Sequence, residues 1–247
     1  MSKPRKDLAS TAPAPAPAAG GTSAPAAGEA PATAAGAPAV VTADPRRILR
    51  AELRRKAIHL AFVIVPITLV HPWLPWPRTR GEWTVLLVLL VLTAVSLDLI
   101  RIHEHRIGTF FRNFFGQMIR DHEATQLLGS TYLLIATLLA VDLFPPPVAA
   151  AAVGFTVLGD ALAALVGRAS GRTRFFGKSL EGTLGGLAAC LAWASYLAVG
   201  GHLSWEVAIS GALVASLVEL LPIPLDDNLG ITLFSGYAMK LMMGMYA

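Results

Sequence analysis

Charge is scarce in this sequence. Asp, Glu, Lys and Arg make up 15% of its 247 residues, against roughly 25% in soluble domains, and that shortage excludes water as the main solvent of its surface. There is one cysteine, Cys190, which excludes a disulfide framework or a cysteine-based metal cage and leaves packing within its apolar run as the expected role. No continuous apolar stretch follows the basic start at Lys3, Arg5 and Lys6, so a cleaved secretory signal is not expected. Internal repeats are missing too, and with them the usual mark of a transporter built from two halves.

What the chain has instead is apolar length. Its mean hydropathy is +0.58, and runs such as 85–100 and 147–166 approach or reach the roughly 20 residues that a helix needs to cross hydrocarbon. Length and pattern predict about seven spans, near 55–76, 81–100, 128–144, 147–167, 182–200, 206–222 and 229–246, and so an all-α polytopic bundle. Pro66 and Pro72 should kink the first span or end it early, and about five or six crossings result if the first or last does not cross. Residues 1–43 are a run of Ala, Pro, Gly, Ser and Thr that lacks the aliphatic content to bury anything, expected to form a disordered tail ahead of a membrane domain over 44–247.

The net charge of +4 and pI near 9.5 do not point to nucleic acid, because the basic residues sit in short loops at helix ends. Arg46, Arg47, Arg50, Arg54, Arg55 and Lys56 precede the first span. Arg101, Arg106, Arg112 and Arg120 follow the second, and Arg168, Arg172, Arg174 and Lys178 follow the fourth. Positive charge gathers in cytoplasmic loops, so the N-terminus and these loops are expected inside, in the cytoplasmic membrane of a bacterium. Arg78 and Arg80 dissent.

An ionisable group at the centre of a membrane helix costs roughly 2.5–3.5 kcal/mol and needs a reason. Glu52, Arg55, Lys56 and His59 stand at i, i+3, i+4 and i+7, on one face at the mouth of the first span. Arg and Lys there can simply snorkel, but a snorkelling anchor does not need His59 deeper on that face. Asp160 lies inside the fourth span, with Ala164, Gly167 and Gly171 at i+4, i+7 and i+11. Another backbone or a ligand can come close along that strip; small-residue packing explains the glycines and leaves the carboxylate unexplained.

Gly177, Lys178, Ser179, Leu180, Glu181, Gly182 and Thr183 open the fifth span, preceded by Gly171, Arg172 and Arg174. A glycine-rich basic turn at a helix start offers backbone N–H groups, a positive dipole end and cations, all suited to phosphate. It is not a Walker A loop, because Arg172 stands where that spacing needs glycine, and a positive-inside loop with a serine cap is the plain alternative. Glu219 ends the sixth span, and Asp226, Asp227 and Asn228 open the seventh. Hard oxygen donors in such a cluster suit Mg²⁺, although Asp226 can equally be a helix cap. Within 111–130, Arg120, His122 and Glu123 lie among phenylalanines, as in a segment lying in the membrane interface. His103 and His105 do not share a helix face, so zinc is not expected.

Asp160, Gly167 and Gly171, followed by Gly177-Lys178-Ser179 and Glu181-Gly182-Thr183, resemble the CTP-binding motif of the dolichol kinase and phytol kinase family, which includes CTP-dependent diacylglycerol kinase. Glu52 with Arg55, Lys56 and His59, then Arg120 with Glu123, and then Glu219 with Asp227 and Asn228, resemble its other polar signatures in family order. The resemblance implies a polytopic kinase that phosphorylates a lipid alcohol from CTP with a divalent metal. It implies a triphosphate site at Gly167, Gly171, Arg172, Arg174, Gly177, Lys178, Ser179, Gly182 and Thr183. Catalysis would fall to Asp160, Lys178, Glu181, Glu219 and Asp227, with Asp160, Glu219 and Asp227 as metal ligands. A phosphatidate cytidylyltransferase is the alternative enzyme and a transporter the alternative from another class. Polyprenol, phytol, farnesol and diacylglycerol all remain open as the alcohol.

Overall fold

A computed structural model describes residues 56–104, Thr109 and residues 126–246, of which 78% are helical. The expected tail, Glu52, Arg55, and the segment holding Arg120, His122 and Glu123 lie outside the described residues.

Helix α1 (Lys56–Val70) loosens at Phe62 and Val63 before resuming over Ile64–Val70. The cause is Pro66, which has no N–H for the Phe62 carbonyl. That carbonyl accepts from Val65 instead (3.0 Å), one residue short of helical spacing. Pro72 lies just beyond the helix, so the expected early end is found.

Helix α2 (Arg80–His103) starts at a capping box: Thr79 accepts from the Glu82 N–H, and the Glu82 carboxylate accepts from Thr79. Helix α3 (Gly129–Leu143) has no side-chain cap of its own. Asp98 on α2 supplies one, accepting from the Leu128 N–H (2.9 Å) and the Thr131 hydroxyl (2.7 Å) while paired with Arg101 (3.2 Å).

Helix α4 (Pro146–Ser170) is the axis of the bundle. Its alanine-rich first half, including Ala149, Ala150, Ala151 and Ala152, has no solvent exposure, because small side chains admit neighbours on every side. A π-helical turn at Phe155–Gly159 interrupts it just before Asp160. Around α4 stand α5 (Leu180–Val199), α6 (Trp205–Leu220) and α7 (Asp227–Tyr246).

Each expected span therefore contains one helix, and three of them, α2, α4 and α5, are long and apolar enough to cross a membrane. The all-α expectation needs one amendment. Between α4 and α5 the chain forms a β-hairpin, β1 (Arg174–Phe175) against β2 (Lys178–Ser179). Its two-residue turn has positive φ at Phe176 (49°) and Gly177 (83°), which matches the right-handed twist of a hairpin, and glycine supplies the second position without strain.

Successive helices run antiparallel. The α4–α5 hairpin, the α6–α7 connection and the start of α3 meet at one end, through Lys178 to Asp227 (3.0 Å) and Asn228 to the Gly129 carbonyl (3.2 Å). At the other end His71 meets Tyr196 (2.9 Å) and Lys240 donates to the Leu143 carbonyl (3.1 Å).

Helices α4 and α5 cross on glycine. A Cβ on Gly182 would sit 2.7 Å from the Ala163 carbonyl oxygen and 3.1 Å from the Gly167 Cα, and one on Gly186 would sit 3.0 Å from the Gly159 carbonyl oxygen. These are backbone atoms and cannot swing aside. Gly182→Ala should therefore push the helices apart and lower stability by about 1–3 kcal/mol. Gly81→Ala, where nothing lies within 4 Å, should leave it within about 1 kcal/mol of wild type or slightly higher. Thermal unfolding of both in one detergent checks this, and equal melting temperatures would show that the crossing tolerates a side chain.

Candidate functional site

The π turn on α4 places Asp160 toward α1. There the Lys56 ammonium binds its carboxylate Oδ2 and, at 3.2 Å, its backbone carbonyl, and His59 Nε2 lies 3.6 Å from the same oxygen. Lys56 is buried and His59 partly buried. The one-face placement expected from their spacing is thus the geometry that brings both to Asp160. A buried lysine beside a carboxylate on another helix is an expensive arrangement, and each charge depends on the other to offset its desolvation.

A second polar node sits nearer the end of the bundle. Lys178 projects from β2 to α6 and α7, where its ammonium binds the Glu219 backbone carbonyl, the Glu219 carboxylate at 3.4 Å and the Asp227 carboxylate at 3.0 Å. Burial pushes the Lys178 ammonium down, but Asp227 and Glu219 more than offset it, and the lysine is held above its usual range. Thr183, one helical turn inside α5, donates to the other Glu219 oxygen at 3.3 Å.

Both nodes contribute to a small pocket between α4, α5, α6 and α7, Asp160 from the first and Thr183 and Glu219 from the second. Asp160, Thr183, Ser216 and Glu219 form its polar wall, and Phe155 and Ile231 belong to its apolar one. The room inside suffices for about one water-sized group.

Other expected site residues serve the frame. Ser179 caps α5, accepting from the Gly182 N–H at 3.1 Å. The Glu181 carboxylate accepts from the backbone N–H groups of Arg172 (3.1 Å) and Thr173 (3.1 Å), which pins the loop before the hairpin onto the helix start. Gly167, Gly171 and Gly182 are filled by protein: a Cβ on Gly167 would lie 2.6 Å from Ser179 Oγ, and one on Gly171 would lie 2.9 Å from Ser179 Cβ. Of the two neighbours that the smooth strip can admit, a backbone or a ligand, it meets the backbone of α5. Arg172 and Arg174 stay exposed, with Arg174 reaching the Gly177 carbonyl at 3.4 Å. Asp226 is the cap that its position suggested, accepting from the Asn228 backbone N–H (2.9 Å) and side-chain amide (3.0 Å). Burial pushes its carboxyl up.

Among the described residues, no three His, Cys, Asp or Glu side chains come together as a metal cage. Asp160 is held at Lys56, whereas Glu219 and Asp227 share Lys178. Two carboxylates around one cation suit Mg²⁺, which takes one or two protein carboxylates and fills its shell with water and phosphate oxygens. Sequence reasoning missed Asp98 as the cap of α3. Its signal was available, since a carboxylate within the apolar run of α2 carries the same insertion cost as Asp160.

The chain is 28% identical over 191 residues to the uncharacterized protein RP860 of Rickettsia prowazekii (strain Madrid E), an alignment that covers 74% of this chain and 90% of that protein. No family model matches it. No solved structure matches it.

The Asp160–Lys56 pair can be weighed directly. Lys56→Met leaves the carboxylate without its lysine and should lower stability by up to about 3 kcal/mol, the low end for a buried pair because the Asp160 side chain keeps 28% exposure. Asp160→Asn in the same molecule should recover most of that loss. A double-mutant cycle on melting temperatures reads the coupling, and additive losses would mean that the contact carries none.

Proposed function

We propose that this protein is a membrane-embedded kinase that transfers the terminal phosphoryl group of CTP to the hydroxyl of a lipid alcohol at the cytoplasmic face. The convergence of Lys178, Glu219, Asp227 and Asp160 on one end of the bundle carries this reading, because these residues come from distant parts of the chain and two of them, Asp160 and Glu219, line a single pocket. The ordered polar signatures and their resemblance to CTP-dependent lipid-alcohol kinases support the choice of nucleotide and acceptor. In this reading α1 to α7 all span, with the N-terminus inside and the C-terminus outside. A transporter usually places its charges near the bilayer midplane, and the charge cluster at one end favours an enzyme.

Phosphoryl transfer asks the protein mainly for positioning and charge neutralisation. Lys178 turns from Asp227 and Glu219 to the triphosphate, with Arg172 and Arg174 exposed beside it. Asp160 accepts the proton of the alcohol. Glu219 and Asp227, with Asp160 nearby, would hold Mg²⁺, which would supply neutralisation of phosphate charge. Lys56 and His59 hold the Asp160 side chain in place beside the pocket.

Purified protein offered labelled CTP and a panel of long-chain alcohols should yield CDP and a phosphorylated alcohol. Pyrophosphate and a CDP-lipid would instead identify a cytidylyltransferase. Lys178→Ala should weaken CTP binding by roughly tenfold or more, since a charge-assisted contact is worth about 1.5–3 kcal/mol, with lipid binding unchanged; unaltered CTP affinity would overturn the phosphate role of Lys178. Asp160→Asn should abolish turnover while the protein remains folded. Turnover and melting temperature on the same sample decide the point, and near-normal turnover per folded molecule would remove Asp160 from the chemistry.

A further inference from the structure

Two lysines of this chain are held in the same way, and one of them is free to leave. The Lys56 ammonium binds the backbone carbonyl and the carboxylate of Asp160. The Lys178 ammonium binds the backbone carbonyl of Glu219 and its carboxylate at 3.4 Å, and adds the Asp227 carboxylate at 3.0 Å. Their surroundings differ. The Lys56 side chain is 5% exposed and is enclosed where α1 meets Asp160, whereas the Lys178 side chain is 30% exposed and starts from a two-residue strand next to an exposed turn. A lysine ammonium rides on a flexible four-carbon stem, so Lys178 can swing out while the hairpin stays in place.

What the ammonium occupies is a cation site. Two carboxylates and a main-chain carbonyl, from the end of α6 and the start of α7, surround it, so one positive charge stands against two negative ones. Thr183 donates to the second Glu219 oxygen at 3.3 Å, which steadies that carboxylate, and Asp160 is served by its own cation, Lys56. Hard oxygens with an excess of negative charge suit a divalent ion. An ammonium and a divalent ion cannot occupy the same oxygens together, because like charges at contact distance repel strongly. Resting on the reading of Glu219 and Asp227 as metal carboxylates, we propose that Lys178 is a built-in competitor for the divalent ion: its ammonium fills the site until the ion evicts it, and eviction frees it for phosphate. Metal alone must send the lysine into water. A triphosphate alone must draw the lysine away and leave two carboxylates uncompensated side by side. Arriving together, each removes the other's penalty, so metal and triphosphate bind cooperatively and each binds weakly without the other.

Amine labelling of the full wild-type chain in detergent reads the exchange directly, with acetic anhydride as the reagent and peptide mass spectrometry as the readout. Mg²⁺ should raise the labelling of Lys178 severalfold, and sodium chloride at equal ionic strength should not. Lys240, exposed at the opposite end of the bundle, is the internal reference and should not change. Titration with Mn²⁺, followed by the EPR signal of the free ion, gives a second reading. Without nucleotide, Lys178→Met should bind Mn²⁺ about tenfold more tightly than wild type. Lys178→Arg, which keeps the charge, should not, and adding Asp227→Asn to Lys178→Met should remove the gain. Lys178 labelling that Mg²⁺ leaves unchanged would overturn the proposal, and so would a folded Lys178→Met that binds Mn²⁺ no better than wild type. If Lys178→Met fails to fold, the labelling of wild type decides alone. Exchange seen by labelling, with no phosphorylated alcohol from any nucleoside triphosphate, would end the kinase reading and leave the competitor standing. Phosphorylated product with Lys178 labelling unmoved by Mg²⁺ would do the reverse.

Discussion

A carboxylate inside an apolar bundle must be compensated where it stands, and most of the polar architecture here follows from that constraint. Asp160 projects from the helix that every neighbour packs around, and Lys56 and His59 from α1 reach it. Glu219 and Asp227 are compensated in the same way by Lys178. Each carboxylate thereby fixes the position of another element: Asp160 holds the start of α1, and the Glu219–Asp227 pair holds the hairpin against α6 and α7. Removing either lysine would disturb charge and architecture together.

The same constraint explains why the site lies at one end. Asp98 stands at the matching end of α2 and uses its charge to cap α3. At the opposite end, among the described residues, the polar contacts are lighter, such as His71 with Tyr196 and Lys240 with a carbonyl. Concentrated charge on one side leaves the middle of the bundle to alanine, glycine and aliphatic packing, which costs nothing in desolvation. The buried hydroxyl pair of Thr156, within the π turn, and Thr232 (2.7 Å) is an internally satisfied exception.

Helix geometry then decides what the pocket can be. The glycines of α4 and α5 bring those helices together at backbone distance beside Asp160 and Thr183, which narrows the space to the size of one small group. A π turn is a frequent feature of functional helices because it re-aims the residues after it. Here the residue after it is Asp160. The hairpin performs a similar service for Lys178, bringing it to carboxylates 41 and 49 residues farther along the chain.

The sequence by itself determined where the helices lie, because apolar length and proline position act locally: each expected span contains one helix, and Pro66 loosens α1 where its missing N–H requires. It also marked the residues that carry charge into apolar surroundings, since an insertion cost is a property of the residue and its run. The spacing of Lys56 and His59 was legible as a shared face. Their common partner was not, because it lies 104 residues away from Lys56. Tertiary structure alone decided that the glycine strip meets the backbone of α5, that Glu181 holds a loop, and that Lys178 joins two carboxylates. These outcomes depend on which helices become neighbours, and that is set by the packing of whole helix surfaces, which no local stretch of sequence encodes.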